Sequence, residues 1–285
     1  MMKSLANKFK DYWPLIKIWQ TLLLVMTGIA GYLSSRCPVT SFPLILQLIV
    51  VLFLSISGAT ILNMWYDRDI DAKMTRTQKR PMVTGVVNPK EGLLVGLALS
   101  ALSVTIALLM DVLFGAIIFA GLFFDVVVYT MWLKRRSSWS IIWGGISGAM
   151  PILAGRALGL GSVDWIGIVL GLGILLWIPT HILTFSTKYF DDYQAAGIPT
   201  IASQYGIDVN RRVIAASSIL ASLAMALAGW GIGMAWGFLR LLAVLSLGLV
   251  IMAVVGMTPP NEKVKFGFFK YAPVYMFSSM VMIAL

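Results

Sequence analysis

The sequence predicts an all-α, polytopic membrane protein with nine transmembrane helices that form a single domain over residues 1–285. Of the 285 residues, 59% are hydrophobic and only 12% are charged, which is more apolar surface than a soluble domain can bury. The apolar residues also come in runs of roughly 20, the length of a helix that crosses a bilayer. No segment between these runs is long enough to form a separate soluble domain.

The spans follow one another with short connections, except for two longer, charged loops at about 65–91 and 186–211. The first apolar run lacks the pattern of a cleaved signal peptide, so we expect it to remain as the first span. Cys37 is the only cysteine, which excludes an intrachain disulfide and a cysteine-based metal cluster. The nine predicted spans lie near 15–34, 43–65, 92–110, 112–133, 139–158, 163–185, 212–233, 238–256 and 269–285.

Positive charge is distributed unevenly between the two ends of the predicted spans. Of the 22 Lys and Arg, only Arg36, Arg156 and Arg240 fall on one side, and the others, including Lys3 and Lys8, fall on the opposite side. The positive-inside rule places the N-terminus and the basic loops in the cytoplasm. The C-terminus is then outside, and the absence of a transit-peptide pattern favours a prokaryotic plasma membrane.

The net charge of +10 is explained by this topology and by contact with anionic membrane lipids. A nucleic-acid partner would need a basic soluble face with aromatic platforms, and the sequence contains none. We therefore expect no nucleic-acid partner.

An acidic motif stands at the end of the second span, where Asn63, Asp67 and Asp71 recur at every fourth position. On a helix each step of four residues rotates only about 40°, so the three side chains share one face. Carboxylates that close together repel unless a cation lies between them, and oxygen ligands suit Mg²⁺. The alternative is a solvated helix end, because Arg68 and Lys73 interleave with the acids. Asn63 favours the metal site, since a polar group at the membrane boundary needs a partner.

Basic residues follow this motif in the same loop. Arg76 and Arg80 precede Pro81, which ends any helix there. Arginine presents paired donors that fit phosphate oxygens, and Lys134, at the end of span 4, lies on the same side of the membrane. Carboxylates and basic residues in one loop are typical of a metal–diphosphate site.

The second charged loop contains Lys188, Asp191 and Asp192. Adjacent aspartates point to different faces of a helix, so they cannot hold one ion as the first motif does. Two interpretations remain open for this loop. Asp192 and Lys188 are four residues apart, the spacing of an ordinary helix ion pair, or the loop supplies a second metal or diphosphate contact.

Two polar residues are predicted inside the membrane. His181 is the only histidine, and an intramembrane histidine is either functional or hydrogen-bonded to a neighbouring helix. Asp125, in span 4, is similarly placed and has no assigned role.

With these residues assembled, the chain resembles the UbiA superfamily of intramembrane prenyltransferases. The first motif carries the superfamily likeness, as the stretch Asn63…Asp67-Arg-Asp-Ile-Asp71…Arg76-Thr…Arg80-Pro81. Within the superfamily the haem branch is the most similar. That likeness is carried by Tyr129–Arg136, Trp143–Pro151, Trp177–His181 and Asp191–Pro199.

The resemblance implies a UbiA-type bundle of nine helices, with farnesyl diphosphate as donor, protohaem IX as acceptor and Mg²⁺ as cofactor. It implies catalytic roles for Asp67, Asp71, Asp192 and His181. It implies diphosphate binding by Arg76, Arg80, Lys134 and Lys188. The implied metal ligands are Asn63, Asp67, Asp71 and Asp191.

Two departures from the relatives' patterns bear on the acceptor. Many relatives that prenylate aromatic acceptors carry a second, four-spaced pair of aspartates, whereas Tyr189 and Tyr193 stand at those positions here, as in the haem branch. Thr180 stands directly before His181, where the haem branch usually has proline.

Two rival functions remain at this point. One is a UbiA relative that acts on a quinone precursor or a glyceryl lipid. The other is a transporter, which would have inverted repeats and discontinuous helices at mid-membrane, whereas the acids of this chain gather at one surface.

Overall fold

A computed structural model describes residues 10–36, 41–258 and 262–285, with side chains described from residue 267 in the last segment. The described residues form helices joined by turns and loops, and no β-strand occurs among them. Lys3, Lys8 and Cys37 lie outside the described residues.

The helices follow the predicted apolar runs closely. A short 3₁₀ helix, Trp13–Ile16, precedes the first α-helix. The α-helices are α1 Ile18–Leu33, α2 Phe42–Tyr66, α3 Arg68–Asp71, α4 Pro89–Met110, α5 Val112–Leu122, α6 Ser140–Leu160, α7 Trp165–Lys188, α8 Phe190–Ala195, α9 Ile201–Tyr205, α10 Ile207–Ile232, α11 Trp236–Val255 and α12 Glu262–Ala284.

Seven helical segments of the described chain are long and apolar enough to cross a membrane, and an eighth is the bent segment Lys10–Leu33. The prediction of an all-α, multi-pass membrane protein is confirmed. The count of nine is not confirmed, because α12, which covers the predicted ninth span, is not among these segments.

The first predicted span is broken near its start. Lys17 has φ 43° and ψ 59°, a left-handed conformation that is rare for residues other than glycine. The chain bends there by 49° between its two helical parts. The break brings the Lys17 side chain to the wall of an internal cavity.

The span that begins with α5 changes its helical form halfway. Residues Phe123–Leu133 form a π-helix, in which the amide of Lys134 donates to the carbonyl of Tyr129, five residues earlier, at 2.8 Å. The Thr130 hydroxyl donates to the Asp125 carbonyl in the same register. π-Helical turns are rare and are common at functional sites.

The helices form a bundle that closes on itself. Helix α1 packs against α2 and α6 and also against α12, so the last helix contacts the first. Helices α1 and α6 cross with their backbones almost in contact. A Cβ atom on Gly155 would lie 1.9 Å from the Gly28 carbonyl oxygen, and one on Gly31 would lie 2.1 Å from that of Ile152. Such small-residue crossings are typical of membrane bundles.

The outer surface of the bundle is apolar. Leu109 is 82% exposed and Trp19 and Trp236 are 83% and 77% exposed, positions that a bilayer covers. The tryptophans near the span ends fit the interfacial aromatic belts of membrane proteins. The charged loops 66–89 and 188–207 lie at the same end of the bundle as Lys134 and Arg135.

Candidate active site

An internal cavity of about 510 Å³ lies among α1, α2, the π-helix, α6 and α7. One end is polar and is formed by residues at the ends of the spans. The other end is apolar. The polar lining includes Lys17, Gln20, Asn63, Asp71, Arg76, Arg80, Asp125, Tyr129, Lys134, Ser147, His181 and Tyr193, and the apolar lining includes Leu52, Ile56, Ile118, Leu122, Met150, Pro151 and Ile178.

The cavity extends deep into the membrane region. Asn63 and Leu52 both line it and are both on α2. Their separation of 63 − 52 residues corresponds to roughly 16 Å along a helix, about half of a bilayer's hydrocarbon thickness. The cavity therefore offers a charged group a place at the membrane surface and an apolar chain a place in the interior.

The first acidic motif keeps its helical succession. The amide of Asp67 donates to the Asn63 carbonyl at 3.0 Å, and the amide of Asp71 donates to the Asp67 carbonyl at 2.8 Å. Asp67 itself, with φ −86° and ψ 8°, ends α2 and begins α3. Asn63 and Asp71 line the cavity, while Asp67 is fully buried behind Lys134.

Both carboxylates of this motif are buried and each is ion-paired. The Lys134 ammonium donates to Asp67 in a short hydrogen bond, and the Arg80 guanidinium donates to Asp71 at 2.5 Å. Asp67 is 0% and Asp71 is 3% exposed, so the alternative of a solvated helix end is wrong. Arg68 instead donates to the Trp65 carbonyl.

Burial raises the pKa of the Asp67 carboxyl, and the charge and hydrogen bond of Lys134 oppose that rise, while the neighbouring Asp71 adds to it. Asp69, which lies between Asp67 and Asp71 in the sequence, is exposed, and its pKa is shifted in the opposite direction. Two hydrogen bonds from the Arg135 guanidinium, both 2.7 Å, hold its pKa below the usual range. The motif thus separates two buried acids from one surface acid.

The donor set of the motif fits a hard divalent cation. The Asp67 Oδ1 atom is buried and accepts no hydrogen bond from the described residues, and the Arg135 guanidinium lies 3.7 Å from it. No group of three or more His, Cys, Asp or Glu side chains in the described part of the chain could hold a metal by itself. Two carboxylates and an amide oxygen suit an ion that also takes phosphate oxygens and water, as Mg²⁺ does.

Arg76 and Lys188, both predicted to bind diphosphate, lie over aromatic rings. The Arg76 guanidinium carbon is 4.9 Å from the Phe185 ring centre and 5.6 Å from that of Tyr189, and Arg76 lines the cavity. The Lys188 ammonium lies 5.4 Å from the Tyr189 ring centre and 5.0 Å from that of Phe269. Lys188 is outside the cavity lining.

The second pair of acids is on α8, in the second charged loop. Asp192 accepts hydrogen bonds from the amide and hydroxyl of Thr75 and from the amide of Arg76. Asp191 is exposed. Neither acid belongs to the cavity lining, and their catalytic and metal-binding roles stay predictions.

His181 lies in the cavity wall between two aromatic rings. Its ring is 5.2 Å from Trp177 and nearly parallel to it, and 5.9 Å from Phe269 at 19°. The His181 Nδ1 atom is buried without a hydrogen-bond partner among the described residues. Thr180, which replaces the usual proline, bonds to the hydroxyls of Ser217 and Ser218 on α10 and so joins two helices.

The cavity wall includes polar residues that were not predicted from the sequence, among them Lys17, Gln20 and Tyr193, and one, Asp125, that had no predicted role. A lone lysine near the start of an apolar run was the available signal for Lys17, because intramembrane charges are rare without function. The hydroxyl of Ser147 donates to Asp125 at 3.4 Å. Tyr129 also lines the cavity, whereas Tyr66 and Tyr189 do not.

Fold and site together define an intramembrane helical bundle whose cavity joins buried acids and cations at one end to an apolar interior. The chain belongs to the UbiA prenyltransferase family, whose sequence profile it matches over residues 24–279. The resemblance predicted from the motifs is confirmed, and family membership removes the transporter alternative.

Two curated relatives extend this result. The chain is 41% identical over 202 residues to protoheme IX farnesyltransferase of Archaeoglobus fulgidus, covering 71% of each protein. It is 39% identical over 277 residues to protoheme IX farnesyltransferase 2 of Mesorhizobium japonicum, covering 94% of this chain and 87% of the relative.

Solved structures show the same fold at low sequence identity. A digeranylgeranylglyceryl phosphate synthase superposes with a TM-score of 0.81 at 18% identity, over 97% of both chains. A UbiA homologue from Archaeoglobus fulgidus, solved with GPP and Mg²⁺, superposes with a TM-score of 0.68 at 15% identity, over 96% of this chain and all of that one.

Proposed function

We propose that this protein transfers the farnesyl group of farnesyl diphosphate to a vinyl group of protohaem IX, which yields haem O and diphosphate. The observation that carries the proposal is the cavity, which has cations and buried acids at its surface end, an apolar interior and a histidine between aromatic rings in its wall. The relatives named protoheme IX farnesyltransferase support the choice of donor and acceptor.

The polar end of the cavity would hold the diphosphate. Arg76, Arg80 and Lys134 line it, and Lys188 lies over neighbouring rings. Asn63, Asp67 and Asp71 would hold Mg²⁺, with Asp191 as a further ligand from the second loop. The ion, when bound, would neutralise the leaving group as a Lewis acid. Arg80 and Lys134, which pair with carboxylates in the structure, carry the positive charge that phosphate oxygens require.

The reaction would begin when the allylic C–O bond breaks and its electron pair leaves with the diphosphate. Fixed positive charge at the polar end stabilises that leaving group. The faces of Tyr129 and Tyr193, which line the cavity, are suited to shelter the allylic cation. The vinyl π electrons of the acceptor then form the new C–C bond, and water adds to the resulting cation and loses a proton.

The acceptor would lie against α7. Trp177 and His181 present stacked rings to the cavity, and flat aromatic faces favour a flat aromatic partner. The Trp177 indole donates to the Ala272 carbonyl at 2.9 Å, which fixes the orientation of the stack. His181 would contact the acceptor, through the haem iron or through the ring edge.

We further propose that the protein is inserted in the plasma membrane with its N-terminus, the charged loops and the polar end of the cavity in the cytoplasm, and its C-terminus outside. The charge asymmetry of the loops supports this orientation. The entire chain 1–285 would act as one membrane domain.

The proposal is tested with purified protein, farnesyl diphosphate, protohaem and Mg²⁺ in detergent, with haem O measured by mass spectrometry. We expect haem O to form, and to disappear when a chelator removes the divalent cation. Parallel reactions contain a quinone precursor or a glyceryl lipid in place of protohaem. Product from one of these, without haem O, would assign the chain to another acceptor.

A further inference from the structure

Two cytoplasmic loops that are far apart in the sequence are joined by one carboxylate. Asp192, on α8, accepts from the Thr75 amide at 3.2 Å, from the Thr75 hydroxyl in a short bond, and from the Arg76 amide at 3.3 Å. Its donors, Thr75 and Arg76, are in the irregular segment between α3 and α4, 117 and 116 residues away in the sequence. One of the three donor groups belongs to Arg76, a predicted diphosphate ligand, and the other two belong to Thr75, the residue directly before it.

An apolar contact supports the same junction. Ile70 and Met74 from the first loop are buried with Ala196 and Ile198 from the second, and Tyr193 packs against them. Apolar packing holds the two loops together but does not depend on a particular orientation. The hydrogen bonds of Asp192 are directional, so they fix the positions of residues 75 and 76.

The junction determines where the Arg76 side chain lies. Its backbone amide is held by Asp192, and its guanidinium lies over the rings of Phe185 and Tyr189 at the cavity wall. A flexible arginine loses side-chain entropy when it binds a phosphate, so an arginine that is already ordered binds more tightly.

The contacts of Asp192 differ from those of a metal ligand. Both of its carboxylate oxygens accept hydrogen bonds from the loop, and it is outside the cavity lining that contains Asn63 and Asp71. Its oxygens are thus engaged by the Thr75 hydroxyl and by the backbone amides of Thr75 and Arg76.

We propose that Asp192 is a positioning residue that holds the Arg76 guanidinium at the polar end of the cavity for diphosphate binding. The proposal rests on the proposed function only in placing a prenyl diphosphate at that end. It assigns to Asp192 a hydrogen-bonding role between loops instead of direct contact with metal or substrate.

The test is the binding of farnesyl diphosphate to the purified full-length protein with Mg²⁺ and without acceptor. Asp192→Asn removes the charge and turns one acceptor into a donor that faces an amide, so we expect Kd to rise about tenfold, the effect of losing one charged hydrogen bond. Thr75→Val, which leaves Asp192 intact, raises Kd by a smaller factor. Asp208→Asn, an exposed acid on the same side, is the matched control and leaves Kd unchanged.

Two comparisons make the test decisive. In an Arg76→Met background, Asp192→Asn should raise Kd no further, because Asp192 acts through Arg76, whereas multiplied effects would overturn the proposal. The Mg²⁺ concentration for half-maximal binding should be the same in Asp192→Asn as in the unaltered protein, and an increase would assign Asp192 to the metal. Because no acceptor is present, failure to form haem O would contradict the proposed function and leave this result intact.

Discussion

Asp67 and Asp71 are buried carboxylates whose charges are balanced by Lys134 and Arg80. Removing one partner of such a pair leaves an uncompensated charge, so these residues matter both to the loop structure and to any ion they hold. Asp69, two residues from each, is 59% exposed at its side chain and bonds to Arg135 at the surface. Residues 67–71 therefore contain two buried acids of the candidate site and one exposed acid that can serve as a control in mutagenesis.

Asp67→Asn and Asp71→Asn should each reduce prenyl transfer about a hundredfold or more, because each removes a negative charge from the metal and diphosphate end. Asp69→Asn should retain nearly full activity. The measurement is the initial rate of product formation over a range of Mg²⁺ concentrations. Equal activity in all three variants would contradict the metal assignment.

Lys17 is a residue of the cavity wall that the prediction of an unbroken first span did not reveal. It lines the cavity and interacts electrostatically with Arg80, Lys134 and Asp125. Lys17→Met should raise the KM for the prenyl diphosphate about tenfold, since it removes one cation from a desolvated anion site. Lys17→Arg retains the charge and should recover most of the affinity, and the exposed Lys73→Met should have no effect. A KM unchanged in Lys17→Met would remove Lys17 from the site.

At the scale of elements, the cavity depends on how closely the helices approach one another. Helices α1 and α6 cross at glycines whose missing Cβ atoms allow backbone contact, and both helices contribute to the cavity wall. Directly after Gly155, Arg156 is buried and joins α1 to the start of α7, donating to the Ser34 carbonyl at 2.6 Å and to both oxygens of Asp164 at 2.7 Å.

Gly155→Ala places a methyl group where only 1.9 Å separates it from the Gly28 carbonyl oxygen. The helices must move apart, and we expect a loss of about 3 kcal/mol in the free energy of unfolding. Gly237→Ala, whose added Cβ would meet nothing within 4 Å, is the matched control. Thermal unfolding in detergent measures the difference, and equal midpoints for the two variants would contradict the backbone contact.

The Arg156–Asp164 pair predicts a pH dependence of stability. The hydrogen bonds of Arg156 hold the pKa of Asp164 below its usual value, so the pair stabilises the protein above the ordinary aspartate pKa. That contribution is lost as pH falls through the lowered pKa of the folded state. Asp164→Asn should therefore be less stable than the unaltered protein at pH 7, and the difference should vanish at strongly acidic pH. A difference that persists there would contradict the ionic origin.

At the scale of the whole molecule, the bundle separates two surfaces. The basic loops, the buried acids and the polar end of the cavity lie at one end, and the turns at 34–36, 110–112, 160–165 and 232–236 lie at the other. The sides between them are apolar. Under the proposed function, this polarity would let a prenyl diphosphate bind with its charge at the membrane surface and its chain in the interior.

The orientation of this polarity can be measured with a membrane-impermeant thiol reagent, after Cys37→Ser has removed the natural cysteine. Thr84→Cys, in the first charged loop, should be labelled only in inverted membrane vesicles. Ser162→Cys, in an exposed turn at the opposite end, should be labelled only in intact cells. The reverse pattern would place the active site outside.

Much of this architecture was predictable from local sequence. Apolar runs predicted the helices because backbone hydrogen bonds must be satisfied within each span. The four-residue spacing of Asn63, Asp67 and Asp71 predicted their shared face, and loop charges predicted the end of the bundle where the site lies. The predicted count of nine spans was not confirmed, because α12 is not among the described segments that are long and apolar enough to cross a membrane.

The sequence by itself determined the class of protein, the approximate spans and the acidic and basic residues of the polar end, since these depend on neighbours along one helix or loop. Only the tertiary structure decided that Lys134 pairs with Asp67, that Lys17 enters the cavity at a break, that a π-helix carries Asp125 and Tyr129, and that Asp192 holds the Arg76 loop. The physical reason is separation along the chain. These contacts join residues that are brought together only when the bundle closes, so no local pattern specifies them.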